Sequence, residues 1–153
     1  MPGADGKAVK TRSTFRMSCS VATEIAAPVE RIWRILCDAP NYTKWNSTLS
    51  SLEGTISLGG RVKMTVPQVP GRTFKVQVSE FEPNRRMVWR DGFAPMFQGV
   101  RTFVLEPTGG SRTVFRMTEE FSGLMLPMIA GSLPDFQPIF ERYAADLKGA
   151  AEG

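Results

Sequence analysis

Between Phe15 and Ile25 the apolar and polar positions alternate. Phe15, Met17, Cys19, Val21, Thr23 and Ile25 fall on one side, and Arg16, Ser18, Ser20, Ala22 and Glu24 on the other. A period of two with one apolar face predicts a half-buried strand. The period then changes: Pro28 suits the first turn of a helix, and Val29, Ile32, Trp33 and Leu36 recur at helical spacing, which predicts a short helix over residues 28–38. Asp38-Ala39-Pro40 ends it, because proline disfavours the helical conformation in the residue before it. Asn41 to Trp45 begins another short turn, with Trp45 expected to dock that turn onto a sheet.

From Leu52 to Gly123 the period of two returns, broken by turn residues at Gly59-Gly60, Pro67 to Gly71, Pro83-Asn84 and Pro107 to Ser111. Val62, Met64 and Val66 mark one strand, Phe74, Val76 and Val78 a second, and Met87, Val88 and Trp89 a third. Two more run from Val100 to Glu106 and from Thr113 to Phe121. Short connections make successive strands antiparallel neighbours, and regular alternation means that one sheet face meets an apolar partner. The C-terminal segment supplies that partner: Leu133, Phe136, Phe140, Tyr143 and Leu147 form one helical stripe, with charged residues around the rest of the helix. Pro134 and Pro138 would each remove a backbone hydrogen bond from a helix already running, so a first turn or kink is expected between 127 and 138, then a regular helix to about 150. The fold class is therefore α+β, a curved antiparallel sheet wrapped around a long C-terminal helix, with two short helices after the first strand.

Composition narrows the function classes. At 153 residues, 42% hydrophobic and 22% charged, the chain fits one folded domain, expected over 14–150, and neither a disordered nor a fibrous class. Residues 1–13 carry basic residues and no apolar run, so they are expected to be a flexible tail rather than a secretory signal. The apolar stretch from Leu124 to Ala130 is far shorter than the roughly 20 residues of a membrane span, which excludes an integral membrane segment. The net charge of +4 comes from 19 basic residues scattered among acidic ones, which argues against nucleic acid as a partner. Two cysteines, Cys19 and Cys37, are expected to be unbridged. With no histidine there is no recognisable metal cluster, no base for a serine or cysteine nucleophile, and no cofactor is expected. The location is expected to be cytoplasmic.

Four stretches in this order carry a family likeness. They are Ile25-Ala26-Ala27-Pro28-Val29-Glu30-Arg31-Ile32-Trp33 with Tyr42 and Trp45; Glu82-Pro83-Asn84-Arg85-Arg86-Met87-Val88-Trp89; Thr102-Phe103-Val104-Leu105-Glu106-Pro107; and Glu119-Glu120-Phe121-Ser122-Gly123-Leu124. Over residues 15–150 the sequence resembles the START-like superfamily, in its polyketide cyclase/dehydrase and lipid-transport branch, also called SRPBCC proteins. The resemblance implies a helix-grip fold and a cavity between sheet and helix that accepts lipids, sterols or polyketides. It also implies several unrelated roles, since the superfamily holds transporters, cyclases, dioxygenase domains and co-chaperone domains. Relatives in this branch often carry histidine on the strand corresponding to 100–106; this chain carries none.

A register argument selects candidate residues. A turn centred near Gly110 pairs Arg101 with Glu119, Phe103 with Met117 and Leu105 with Phe115, and puts all six on the apolar face. Extending it places Trp89 and Asp91 on the same wall. Arg101, oriented by Glu119 and Asp91, would then hold a carboxylate or carbonyl of a mainly apolar ligand, or else the pair is an internal ion pair that only fixes sheet register. The segment Asp91 to Gly99, including Phe97, is expected to be a loop; it and Leu124 to Ile129, including Met128, are candidate lids, or simply plugs of a packed core. Met17, Met64, Met87, Met96, Met117, Met125 and Met128 suit an adaptable pocket lining or ordinary gap filling. Phe136, Phe140 and Tyr143 face the sheet from the helix stripe. The leading expectation is binding or transport of a hydrophobic small molecule. The alternatives are a cofactor-independent cyclase or dehydratase in which Arg101, Glu119 and Tyr143 steer protons, and a co-chaperone-like module that uses its outer surface.

Overall fold

The computed structural model describes residues 3–153. Eight strands form one antiparallel sheet: β1 (Asp5–Arg12), β2 (Arg16–Ile25), β3 (Ser51–Gly54), β4 (Arg61–Thr65), β5 (Phe74–Glu82), β6 (Arg86–Phe93), β7 (Phe97–Gly109) and β8 (Arg112–Ser122). Their spatial order is β1-β2-β8-β7-β6-β5-β4-β3, so the chain crosses the whole sheet between β2 and β3. Helices α1 (Val29–Cys37) and α2 (Tyr42–Trp45) lie on that crossing, and α3 (Leu126–Ile129) and α4 (Phe136–Glu152) follow β8. This is the helix-grip architecture. No helix among the described residues is long and apolar enough to cross a membrane.

The inner face of the sheet is the alternating apolar face. Val21, Ile25, Met87, Phe103, Phe115 and Met117 are buried there against Phe140, Tyr143, Ala144 and Leu147 of α4 and Ile32 and Leu36 of α1. Fully burying one such large side chain contributes roughly 1.5–3 kcal/mol, so this face and the helix hold each other in place. Arg31 of α1 ties down the far end of α4: its Nε donates to the Ala151 carbonyl at 2.6 Å and its Nη2 to that of Gly153 at 3.0 Å. Those carbonyls would otherwise lack partners, as at any helix end. Trp45 packs 4.9 Å from the Tyr42 ring of its own turn and edge-on to Tyr143 of α4 at 5.8 Å, so its ring contacts are to α4 and not to the sheet.

The prolines act where expected. Pro138 is the third residue of α4, in the first turn, where its missing N–H costs nothing, and Asp135 caps the helix by accepting from the Gln137 amide at 3.1 Å. Before it, residues 126–132 form a short α turn and a 3-10 turn rather than a continuation of the helix.

Two expectations are corrected. The N-terminal segment is not a free tail: Asp5–Arg12 is the edge strand β1, paired with β2, while Met1 and Pro2 lie outside the described residues. Its sequence, DGKAVKTR, offers almost no apolar face, and only Ala8 is buried. Besides the ladder to β2, what holds it is bonding to α4 and its cap: the Ala8 amide donates to Glu141 at 2.9 Å, Gln137 donates to the Ala8 carbonyl at 3.0 Å, and Lys10 meets Asp135 at 3.0 Å. Likewise Asp91 to Gly99 is not a loop but the β6–β7 hairpin, paired out to Phe93 and Phe97. Gly92, with φ of 78°, keeps that ribbon in register where a side chain would strike the Phe97 carbonyl at 2.3 Å.

Candidate functional site

Cross-strand pairing places Trp89, Arg101, Glu119 and Cys19 in one row, β6 to β7 to β8 to β2, on the inner face. The register between β7 and β8 matches the turn argument: Arg101 opposes Glu119, Phe103 opposes Met117 and Leu105 opposes Phe115. On the β5 side of this row, toward the start of α4, the helix no longer covers the sheet. A cavity of about 420 Å³ is left there, within the usual range for small-molecule sites.

Its walls are mostly apolar. Met64, Val66, Phe74 and Val76 line one side, Trp89, Phe97 and Phe121 another, and Ile129, Leu133, Pro134 and Phe136 form the roof. Phe97 stacks on Phe121 at 5.8 Å and Phe121 on Phe136 at 5.2 Å, so the wall and roof meet through rings. Ser132 and Arg72 add polar atoms, Arg72 from above the Phe74 ring at 5.1 Å.

Four charged residues line this apolar space: Arg72, and a group of Asp91, Arg101 and Glu119 on the sheet. Arg101 Nε donates to Glu119 Oε1 at 2.7 Å, with both side chains largely buried. The guanidinium also lies 5.2 Å from the Phe140 ring centre and 5.8 Å from that of Tyr143, which supports a fixed cation. Behind it, the Tyr143 hydroxyl faces that of Tyr42 at 3.5 Å, and Tyr42 donates to the Leu36 carbonyl at 2.6 Å. Burial holds both phenols above their ordinary range, so both stay protonated.

Gly99 brings the two carboxylates together. A Cβ at that position would lie 2.5 Å from Asp91 Oδ1 and 3.3 Å from Glu119 Oε2, so the missing side chain is the space both acids face. Burial pushes the Glu119 carboxyl up; the Arg101 guanidinium opposes that and Asp91 adds to it. Asp91 is also raised by burial, against the Gly99 amide and the charges of Arg101 and Arg72. Asp91 and Glu119 thus face one space beside Arg101, with burial opposing the charge on each. Cys19, next in the row, is pushed up to about 11 by burial and is an inert thiol at neutral pH.

Of the residues singled out from sequence, Trp89, Asp91, Phe97, Arg101, Glu119 and Phe136 line the cavity. Phe103, Met117, Phe140 and Tyr143 lie beneath its floor in the packed core. Met128 does not line it: it is 80% exposed, because α3 turns that face outward. Of the methionines weighed as lining, only Met64 serves; Met87 and Met117 are core, and Met96 and Met125 lie at the surface. Val66, Val69, Arg72, Phe74, Val76, Phe121, Ile129, Ser132, Leu133 and Pro134 are lining residues that the candidate set missed. Alternation already marked Phe74, Val76 and Phe121 as inward, but only the start of α4 at Phe136 shows that they border a cavity and not a filled core.

A family model described as polyketide cyclase / dehydrase and lipid transport matches residues 16–152. No curated protein sequence matches the chain significantly. Among solved structures, truncated norcoclaurine synthase from Thalictrum flavum superposes with a TM-score of 0.65 at 19% identity, over 95% of this chain and 99% of that one. A START superfamily protein from Mycobacterium smegmatis gives 0.65 at 20% identity, over 88% and 97%. A hypothetical protein from Helicobacter pylori gives 0.68 at 16% identity, over 88% and 86%. At these identities the likeness is one of fold.

Proposed function

The chain belongs to the polyketide cyclase/dehydrase and lipid transport family, and from that premise we propose that it binds and carries one amphipathic small molecule in the cavity, as a cytoplasmic protein that needs no cofactor. The observation that carries this reading is the contrast inside the cavity: mostly apolar walls, to which Arg72 and Ser132 add polar atoms, and a polar cluster of Asp91, Arg101 and Glu119 at the sheet. An apolar body fits the walls, while a neutral polar head such as a hydroxyl, enol or carbonyl matches a cluster that can both donate and accept. A carboxylate head would have to compete with Glu119, which already engages Arg101.

Uptake of a fluorescent fatty alcohol tests the reading. Wild type is expected to bind one equivalent, and Val76→Trp, which fills the cavity from β5, to weaken binding at least about tenfold, the loss of roughly 1.4 kcal/mol of contact. A wild type that takes up no probe, or a Val76→Trp variant that binds as well, contradicts it.

A cyclase or dehydratase remains the second reading, favoured by one observation: burial raises both Asp91 and Glu119, which poises them to hold a proton near substrate. Glu119→Gln separates the two. An enzyme keeps ligand binding and loses turnover, whereas a carrier shows no turnover in either form.

A further inference from the structure

Large apolar side chains left in solvent are concentrated at one end of the molecule. Of the eight such residues among those described, Phe15, Phe93, Met96, Leu124, Met125 and Met128 belong to three neighbouring pieces of chain. These pieces are the β1–β2 turn, the tip of the β6–β7 hairpin and the β8–α3 connection, and backbone hydrogen bonds lock them into one surface. The Gly123 amide donates to the Phe15 carbonyl at 3.1 Å, the Leu124 amide to Pro95 at 3.0 Å and the Met125 amide to Met96 at 2.9 Å. Gly123 permits this junction: a Cβ there would lie 2.3 Å from the Met96 carbonyl oxygen.

Charge is absent from the same surface. Residues 13–15, 92–100 and 121–134 contain no Asp, Glu, Lys or Arg, in a chain where 22% of residues are charged. Basic residues flank it: Arg12 and Arg16 at either side of the β1–β2 turn, and Arg72 at the rim of the cavity. Three carboxylates also border these segments: Glu120 is paired with Arg16 at 2.6 Å, Asp135 with Lys10 at 3.0 Å, and Asp91 lines the cavity. An uncharged apolar tip with a basic border is complementary to the headgroup region of an anionic bilayer, where the apolar side chains enter and the arginines meet phosphate. The Gly123, Leu124 and Met125 amides are already engaged in joining the three pieces, so they are not open to an added peptide strand.

The patch is also continuous with the cavity. Met96 precedes Phe97, Ser122 and Gly123 link Phe121 to Leu124, and Met128 precedes Ile129; Phe97, Phe121 and Ile129 all line the cavity. We propose that this tip is a docking surface for an anionic lipid bilayer, through which an apolar ligand passes between membrane and cavity without crossing water. Docking is shallow and reversible, and strengthened by acidic lipid.

Flotation with vesicles tests it. Wild type is expected to float with vesicles of phosphatidylcholine and phosphatidylglycerol in equal parts, and far less with phosphatidylcholine alone or in high salt. Leu124→Glu with Met128→Glu, and independently Phe93→Glu, should each cut the bound fraction at least about tenfold. Because all three side chains are more than half exposed, these variants should keep the wild-type unfolding midpoint. Wild type that stays with buffer, or variants that float equally well, overturns the proposal. So does a concentration-dependent dimer in sedimentation that the same variants abolish, since the tip would then be covered by a second copy. Vesicle binding is read without any cavity ligand, so a failure here leaves the binding reading standing, and the reverse.

Discussion

The two ends of the grip use the same inner sheet face in opposite ways. At the end near Ile25, the face is filled: Leu105 and Phe115 of the sheet meet Ile32 and Leu36 of α1 and Leu147 and Ala151 of α4, all buried. At the end near Glu119 and Phe121, the face is left open, because α4 begins only at Phe136 and the segment before it folds into two short turns. Pro127, Gly131 and Pro134 interrupt what would otherwise be further helical turns over the sheet. The cavity is therefore a consequence of where the helix stops. The difference teaches that one continuous alternating pattern can serve both as core and as a binding wall, and that only the covering element decides which.

Truncating a ring at each end should separate the two roles most clearly. Phe115→Ala, in the filled end, is expected to cost about 4 kcal/mol in urea unfolding, with the cavity it leaves included. Phe74→Ala, on the cavity wall, should cost only about 1 kcal/mol, since that ring is already half open to the cavity. Equal costs would mean that the wall is packed in solution and the comparison fails.

The polar row between the two ends should respond next most strongly. Arg101→Met alone leaves Glu119 buried without its partner and is expected to destabilise by about 3 kcal/mol. Adding Glu119→Leu should recover most of that loss while abolishing selection for a polar head on the ligand. If the single variant is as stable as wild type, the pair is solvated and the cavity is wetter than described.

The smallest effect is a difference in pH slope. Asp91 is raised by burial, so it contributes stability that is present below the ordinary value near 4 and is lost as pH rises through its folded value. Asp135, lowered by hydrogen bonds from Lys10 and the Gln137 amide, contributes stability that is present above the ordinary value and is lost as pH falls. Above about pH 4, the stability of wild type relative to Asp91→Asn should therefore fall as pH rises, whereas that relative to Asp135→Asn should fall as pH drops below about 4. Matching slopes would place Asp91 in solvent.

Legibility in the sequence followed the same division. Elements with a strong apolar period, such as Phe15 to Ile25 and the stripe from Phe136 to Leu147, were readable with their faces, and the Gly110 turn was enough to pair Arg101 with Glu119. Strand β1 was not, because DGKAVKTR is held by backbone pairing and by Glu141 and Gln137, contacts that leave no local pattern. The site was half readable. Inward residues on β6, β7 and β8 could be named, but whether Phe103 and Phe140 touch a cavity or fill the core depends on the length of α4. The exposed side of Met128 likewise depends on the direction in which α3 turns.

The central claim is that the open end holds a ligand. Native mass spectrometry of protein purified from its own host, followed by extraction and identification of whatever is bound, tests this most directly. The account predicts one equivalent of an apolar molecule with a polar head, lost in Val76→Trp. A bare protein mass that stays bare after incubation with a panel of lipids and polyketide-like compounds would contradict it.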